Sequence, residues 1–181
     1  MRLKLIFETN RLLIRSLQLQ DRDPFYKMMS NPNVMNPIPL DIMDRKTSDN
    51  NFEKHLNSKS DSNIKVWALE LKEGSTFIGI AAYLKNNQKE DEIAYRLIEN
   101  FWGVGYGTEI TKGLIDFGFN DLKLNLITAD VNTSNYRSIK ILDKFFKPDS
   151  EFYNESDKCI DRRYKLKKID WVENCKLADI K

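Results

Sequence analysis

The sequence predicts an α+β domain built on one mixed, mostly antiparallel sheet with helices on both faces. Three observations predict it. Three strand-like runs, 64–71, 76–84 and 92–98, follow one another with only turn-type residues between them, as an antiparallel meander requires. Two stretches with apolar residues at helical spacing, 108–120 and 138–146, alternate with a further apolar run, 124–131. Strand gives way to helix through Trp102-Gly103-Val104-Gly105-Tyr106-Gly107-Thr108-Glu109, whose three glycines let the backbone turn sharply.

In chain order, residues 10–17 place Leu12, Ile14 and Leu17 around Arg11 and Arg15, which suits a first strand. Asp21 is positioned to cap a helix carrying Phe25, Tyr26, Met28 and Met29, ending at Asn31-Pro32, where proline cannot continue it. Residues 31–44, with Pro32, Pro37 and Pro39, read as a loop, and 48–58 as a polar helix with only Phe52 and Leu56 to bury. Lys72-Glu73-Gly74-Ser75 and Lys85-Asn86-Asn87-Gln88 supply the turns of the meander. Residues 162–169 alternate well enough for a last strand. The chain has no repeats, linkers or low-complexity tracts, so residues 1–181 are expected to form a single domain.

Composition narrows the function. With 41% hydrophobic and 11% aromatic residues, the chain can bury a core. Its 29 Lys and Arg against 27 Asp and Glu are interspersed, which gives no basis for a nucleic-acid or membrane partner. Residues 1–7 are too short and too charged for a signal peptide, and the cytoplasm is the expected compartment. Cys159 and Cys175 lack metal or redox spacing and read as free thiols. The single histidine, His55, reads as solvated surface, so neither a metal site nor a Ser-His-Asp triad is expected. Carboxylates, hydroxyls and backbone groups are left to carry any chemistry.

The glycine turn is the strongest chemical signal. Alternate glycines allow close approach of a ligand, and the free N–H groups of the following helix attract an anion. A phosphate cradle is one reading of the motif alone; a tight turn between strand and helix is the other. A P-loop is excluded because Thr108 and Glu109 follow Gly107 in place of Lys and Ser or Thr. A dinucleotide fingerprint needs G-x-G-x-x-G near the first βαβ unit, whereas these glycines are spaced G-x-G-x-G after a hundred residues.

Taken together, the order of elements and four motifs resemble the GNAT acetyltransferase superfamily, and within it the branch of ribosomal-protein N-terminal acetyltransferases. Glu8-Thr9-Asn10-Arg11-Leu12-Leu13-Ile14-Arg15 resembles that branch's first strand. Glu92-Ile93-Ala94-Tyr95, followed by Phe101-Trp102-Gly103-Val104-Gly105-Tyr106-Gly107-Thr108-Glu109, is similar to its strand and turn. Asp130-Val131-Asn132-Thr133-Ser134-Asn135 with Ser138 resembles its V-x-x-x-N-x-x-S stretch, and Arg162-Arg163-Tyr164-Lys165-Leu166 its closing strand. The chain departs from the pattern at Trp102, where the superfamily has Gln or Arg, and at Ala94, where it has Gly. Phe146-Lys147 stands in place of Gly-Phe. Leu142 stands where many relatives carry a tyrosine that protonates the leaving thiolate.

The resemblance implies a GNAT-like fold, acetyl-CoA as acyl donor without a metal, and a primary amine as acceptor: a protein N-terminus or a small molecule. The amine must lose its proton, held with a pKa above about 10, before it attacks and forms a tetrahedral intermediate. Carried over, the backbone of Tyr95, Arg96 and Leu97 pairs with pantetheine, and the amides of Gly103, Val104, Gly105, Tyr106, Gly107 and Thr108 hold the pyrophosphate. Asn135 contacts the CoA arm, with Ser138 one helical turn on. Glu92 and Asp130 are alternative bases, each with a structural role as its rival reading. Ser134 is either a proton donor to the thiolate or a helix cap, and Glu109 answers the helix dipole. The acceptor pocket is expected from residues 28–52 and 151–161, the latter acidic at Glu151, Glu155 and Asp157. Phe145 and Phe146 fit either the core or a second subunit, which leaves a homodimer open. A non-catalytic acyl-CoA sensor on the same fold is the alternative to an enzyme.

Overall fold

The computed structural model describes residues 4–36, 41–58 and 64–178. Eight strands form one sheet in the order β1-β2-β3-β4-β5-β6-β8-β7. They are β1 (Leu5–Glu8), β2 (Leu12–Arg15), β3 (Lys65–Leu71), β4 (Phe77–Lys85), β5 (Asp91–Leu97), β6 (Leu126–Asn132), β7 (Lys147–Asn154) and β8 (Cys159–Lys167). All neighbours are antiparallel except β5 and β6. This is the mixed, mostly antiparallel sheet that the strand runs predict.

Period-two alternation distributes the side chains between two cores. Trp67 and Leu69 of β3, Ile93 and Leu97 of β5, Ile127, Ala129 and Val131 of β6, and Tyr164 and Leu166 of β8 face the helices α4 (Tyr106–Asn120) and α5 (Tyr136–Leu142). Ala68 of β3 and Phe77 of β4 face the opposite way, onto α1 (Arg22–Met29), α2 (Pro32–Met35) and α3 (Arg45–Leu56). There Phe25 meets Phe52 edge-on with ring centroids 5.4 Å apart. Helices thus cover one face of the whole sheet, but only the β2–β4 half of the other. Over β5, β6 and β8 that second face carries Glu92, Arg96, Asp130, Asp161 and Arg163.

Several sequence expectations are corrected. The predicted first strand forms as β2, and an unpredicted strand, β1, precedes it and pairs with it. The predicted loop 31–44 contains α2, started by Asn31, whose side chain accepts from the Asn33 N–H at 2.9 Å; Pro37 and Pro39 lie outside the described residues. The polar helix begins earlier, because the Asp44 carboxylate caps it by accepting the Thr47 N–H at 2.7 Å. The acidic stretch after residue 147 is not a loop. It is the exposed edge strand β7, joined by a short turn to β8, and the chain continues into α6 (Lys168–Ala178). Phe146 is core, and Phe145 stacks edge-on to Trp171 with centroids 6.2 Å apart, so both have partners within the chain. His55 is half-buried, with its pKa lowered by burial and by Lys54, not a freely solvated group.

One ion cluster ties the start of the chain to the sheet. Arg15 sits fully inside and bonds Asp21 with both Nη atoms at 2.7 and 2.8 Å and Glu70 through Nε at 2.6 Å. Its removal strands two buried carboxylates. Arg15→Met is expected to lower stability by about 3–5 kcal/mol, measured by chemical denaturation.

Candidate active site

The site begins where two strands fail to stay together. β5 and β6 run parallel but share only the pair Glu92–Thr128, after which they diverge. The opened edge has a definite chemistry. The Ile98 N–H donates to the Ile78 carbonyl at 2.9 Å, one step beyond the Gly79–Leu97 pair. In an antiparallel ladder every second residue directs both peptide groups at its partner. The peptide groups of Glu92, Ala94 and Arg96 therefore point at β4, and those of Tyr95 and Leu97 into the gap. This corrects the expectation for Arg96, whose backbone is engaged within the sheet. The Leu97 carbonyl already accepts the Trp102 indole N–H at 3.0 Å, leaving the Tyr95 peptide groups and the Leu97 N–H facing the cleft.

The glycine turn lies at the far end of β5. Gly103 and Gly105 take φ of +80° and +93°, and Gly105 is the residue that starts α4. The first N–H groups of that helix, from Tyr106, Gly107 and Thr108, have no acceptor inside it and present partial positive charge. The turn is braced from outside. Glu109 accepts from the Thr9 hydroxyl at 2.6 Å and from the Arg11 N–H and Nε, both at 2.7 Å, while Arg11 Nη1 donates to the Val104 carbonyl at 3.1 Å. Arg11 also lies 4.4 Å over the Tyr106 ring. Glu109 is thus a clamp between the first hairpin and α4, a stronger role than answering a dipole. Arg137 over the Trp102 ring, at 4.9 Å, and Lys144, at 3.4 Å from the Thr108 hydroxyl, add positive charge beside the turn.

At the vertex of the cleft the two carboxylates have different surroundings. Asp130 stands directly across from Arg163 on β8 and holds it through two bonds, of 2.5 and 2.8 Å. Arg163 also donates to Asn87 Oδ1 at 2.9 Å and covers the Phe152 ring. Among the described residues no cation forms an ion pair with Glu92. Burial, then the negative charge of Asp130, push its pKa up to about 8; Arg163 and a hydrogen bond from the Asp130 N–H offset this only in part. So raised, Glu92 titrates in the range that a general base near neutral pH requires.

A cavity of about 800 Å³ opens on this vertex. Its wall includes Glu92, Tyr95, Arg96, Asp130, Asn135 and Ser138, and from the helical side Phe25, Met29, Met43 and His55. Asn135 starts α5 and accepts the Ser138 N–H at 3.2 Å. Ser138 and Tyr95 both line the cavity. Leu142 fills the position of the missing tyrosine and is core. Ser134 is not brought to the cavity. It is exposed, and both its N–H and its Oγ bond Asn132 Oδ1, at 2.8 and 2.7 Å, so it neither reaches the cleft nor caps α5. Sequence reading missed Arg11, Arg163 and the Arg96 side chain. Only Arg96 had a local signal, sharing the strand parity of Glu92; the others depend on which strands become neighbours.

A cleft between diverging parallel strands, with a helix N-terminus at one end and a titrating carboxylate at the other, defines a group-transfer enzyme. The model of the acetyltransferase (GNAT) domain matches residues 11–145, and the chain belongs to the GNAT acetyltransferase family. The uncharacterized N-acetyltransferase p20 of Bacillus licheniformis is 32% identical over 139 residues, 74% of this chain and 77% of that protein. The structure is similar to spermidine N-acetyltransferase from Vibrio cholerae, solved with CoA and spermine, at TM-score 0.74 and 16% identity over 90% of this chain and 98% of that one. It is also similar to RimL, the ribosomal L7/L12 α-N-protein acetyltransferase solved with coenzyme A, at TM-score 0.75 and 12% identity over 91% and 98%. The chain is therefore an acetyltransferase, and acyl-CoA-dependent N-acetyl transfer is its general chemistry. No helix among the described residues is long and apolar enough to cross a membrane.

The raised Glu92 pKa has a consequence for stability. The folded protein holds this proton up to about pH 8, whereas the unfolded chain releases it near the ordinary carboxylate value of 4.5. Stability is therefore lost as pH rises between those values. Glu92→Gln, neutral throughout, is expected to gain on the native protein over that window by on the order of 3 kcal/mol, measured by denaturation at pH 5 and pH 8.

Proposed function

We propose that residues 1–181 form one acetyltransferase domain that moves an acetyl group from acetyl-CoA to a primary amine by direct attack in the β5/β6 cleft. The observation that carries this reading is Glu92, titrating near neutrality at the vertex of a cleft whose other end is a glycine turn. The amides of residues 103–108 hold the pyrophosphate of CoA. Tyr95 and Leu97 pair with its pantetheine arm through the strand edge that β6 leaves open, and Asn135 and Ser138 flank that arm from α5. Glu92 takes the proton from the acceptor ammonium, directly or through one water. Asp130 acts through Glu92: its charge, fixed in place by Arg163, keeps the Glu92 carboxylate basic. With Leu142 in the core, this reading includes no tyrosine acid, and it gives Ser134 no part.

The pyrophosphate assignment predicts that Gly105→Val weakens CoA binding. A side chain at φ +93° is strained, and its Cβ comes within 3.3 Å of Arg11. A loss on the order of 10- to 100-fold in calorimetric affinity is expected, with the melting transition retained. Affinity equal to the native value would remove the turn from the site.

The base assignment predicts a pH profile. For the native protein kcat/KM rises with pH and levels off near pH 8, following ionisation of Glu92. Glu92→Gln lowers kcat by on the order of 10²- to 10³-fold and abolishes that limb. Asp130→Asn removes the negative neighbour and leaves Arg163 to act on Glu92, so the limb moves to lower pH. A limb unchanged in both variants would show that another group is the base.

A further inference from the structure

Among the described residues, Arg15 and Arg163 are buried, and Arg96 is half-buried with its Nε withdrawn from water. Arg15 is matched by Asp21 and Glu70, and Arg163 by Asp130. Arg96 is the exception. Its Nε is buried without a hydrogen-bond partner, and its Nη1 reaches only the Met29 thioether, at 2.9 Å. A thioether is a weak acceptor. Among the described residues no carboxylate forms an ion pair with Arg96, and burial alone lowers its pKa, to about 10, so it remains a cation at neutral pH. A buried charge without a counter-charge is strongly unfavourable, and a guanidinium is shaped for two parallel bonds to a carboxylate.

The position of Arg96 indicates where that counter-charge comes from. Arg96 shares the sheet face of Glu92 and Ala94 and lines the same cavity. Its head lies against α1, whereas the glycine turn, Asn135 and Ser138 belong to the helices on the other face. The guanidinium is thus on the side of the sheet away from the groups assigned to CoA. Glu92, Asp157 and Asp161 also line the cavity, and the charge of Asp161 is felt at Glu92, so the wall carries negative charge apart from Arg96. Four steps of strand, about 13 Å, separate the Glu92 and Arg96 Cα atoms, and both residues line the cavity.

We propose that Arg96 binds a carboxylate of the acceptor, so that the substrate is a molecule carrying both the reacting amine and a carboxylate, and not a polyamine. The inference rests on the acetyl-transfer reading above and names its acceptor class. The amine enters beside Glu92, while Arg96 fixes the other end of the molecule and excludes acceptors that are cationic throughout.

The test uses the native protein with acetyl-CoA and matched primary amines: α-amino acids, β-alanine, γ-aminobutyrate, 6-aminohexanoate and short peptides, each beside its carboxamide, with spermidine and an aminoalkyl phosphate as further acceptors. Thiol release gives kcat/KM, and calorimetry on the CoA complex gives acceptor binding. At least one carboxylate is expected to exceed its carboxamide by about 10-fold or more, mainly through KM. In Arg96→Met that ratio falls towards one, and Arg96→Lys retains part of it; if the methionine variant does not fold, the native ratio and the lysine variant decide. A native ratio of one or less for every pair overturns the proposal. So does preference for spermidine or the phosphate, or a ratio that survives in Arg96→Met. CoA binding without binding or turnover of any carboxylate-bearing amine overturns it as well. Failure of the native protein to bind CoA overturns instead the acetyl-transfer reading on which it rests.

Discussion

Two parallel strands that meet at one residue pair and then part are the constraint on which the rest of the structure depends. Backbone groups withdrawn from water require partners, and β5 beyond Glu92 has its ladder on one side only. The fold keeps that edge open instead of closing it. β6 is held on its far side along its whole length by β8, from Leu126–Lys167 to Asn132–Asp161, so it cannot swing back to satisfy β5. β5 is held as firmly by β4. Two rigid half-sheets hinged at Glu92–Thr128 leave a wedge with peptide donors and acceptors on its wall. The helix that follows β5 then starts at the wedge's open end, after a short 3-10 turn over Glu99–Phe101 and the positive-φ residues Gly103 and Gly105.

Charge is distributed around this wedge in a graded way. Two ions in the interior are tolerated when each answers the other through short, directed bonds, and Arg15 with Asp21 and Glu70 meets that condition. So does Arg163 with Asp130. Burial raises the Glu92 carboxyl first, and the charge of Asp130, although Asp130 is held by Arg163, raises it further and outweighs the opposing effect of Arg163. The Glu92 carboxyl therefore titrates in the range where it can accept a proton from an amine and release it again. An isolated carboxylate on a solvated strand edge would be too weak a base, and one paired directly to arginine weaker still.

How much of this was legible in the sequence depends on range. The meander was legible because β3, β4 and β5 are neighbours in sequence and space, and their turns carry Gly74 and Asn86-Asn87. The glycine turn was legible because its chemistry lies within eight consecutive residues. β7 was not: Lys147-Pro148-Asp149-Ser150-Glu151 lacks strand formers, and it pairs because β8 offers a free edge and because Arg162 bonds Glu151 at 2.7 Å. β1 lay in a charged run, and α6 begins within the last two residues of the predicted strand 162–169 and runs on through residues given no reading. The choice between Glu92 and Asp130 was closed to sequence reading for the same reason. What separates them is the register of β6 against β8, which puts Arg163 opposite Asp130 and not opposite Glu92. Ser134 looked catalytic by its place in a motif, but a two-residue turn commits both of its polar groups to Asn132.

The substitution of Leu142 for a tyrosine acid fits the same proton economy. An alkyl thiol ionises near 8.5, so the thiolate expelled from a thioester is a modest base that needs no strong acid to leave. An alkyl ammonium ionises about two units higher and is the harder proton to move. On the proposed mechanism the difficult transfer therefore falls on the amine side, where Glu92 stands, and the thiol side makes the smaller demand. A carboxyl that holds its proton up to about pH 8 lies close to the thiol's own value, so returning that proton to the thiolate through solvent is nearly balanced in energy. The position on α5 is then free to serve packing. Leu142 serves it, buried against the α4 side of the core, while the hydroxyl one turn earlier, Ser138, stays on the cavity wall. A chain with one strongly raised carboxylate at the vertex of its cleft can do without the tyrosine; one with an ordinary carboxylate there would need help at both ends of the proton's path.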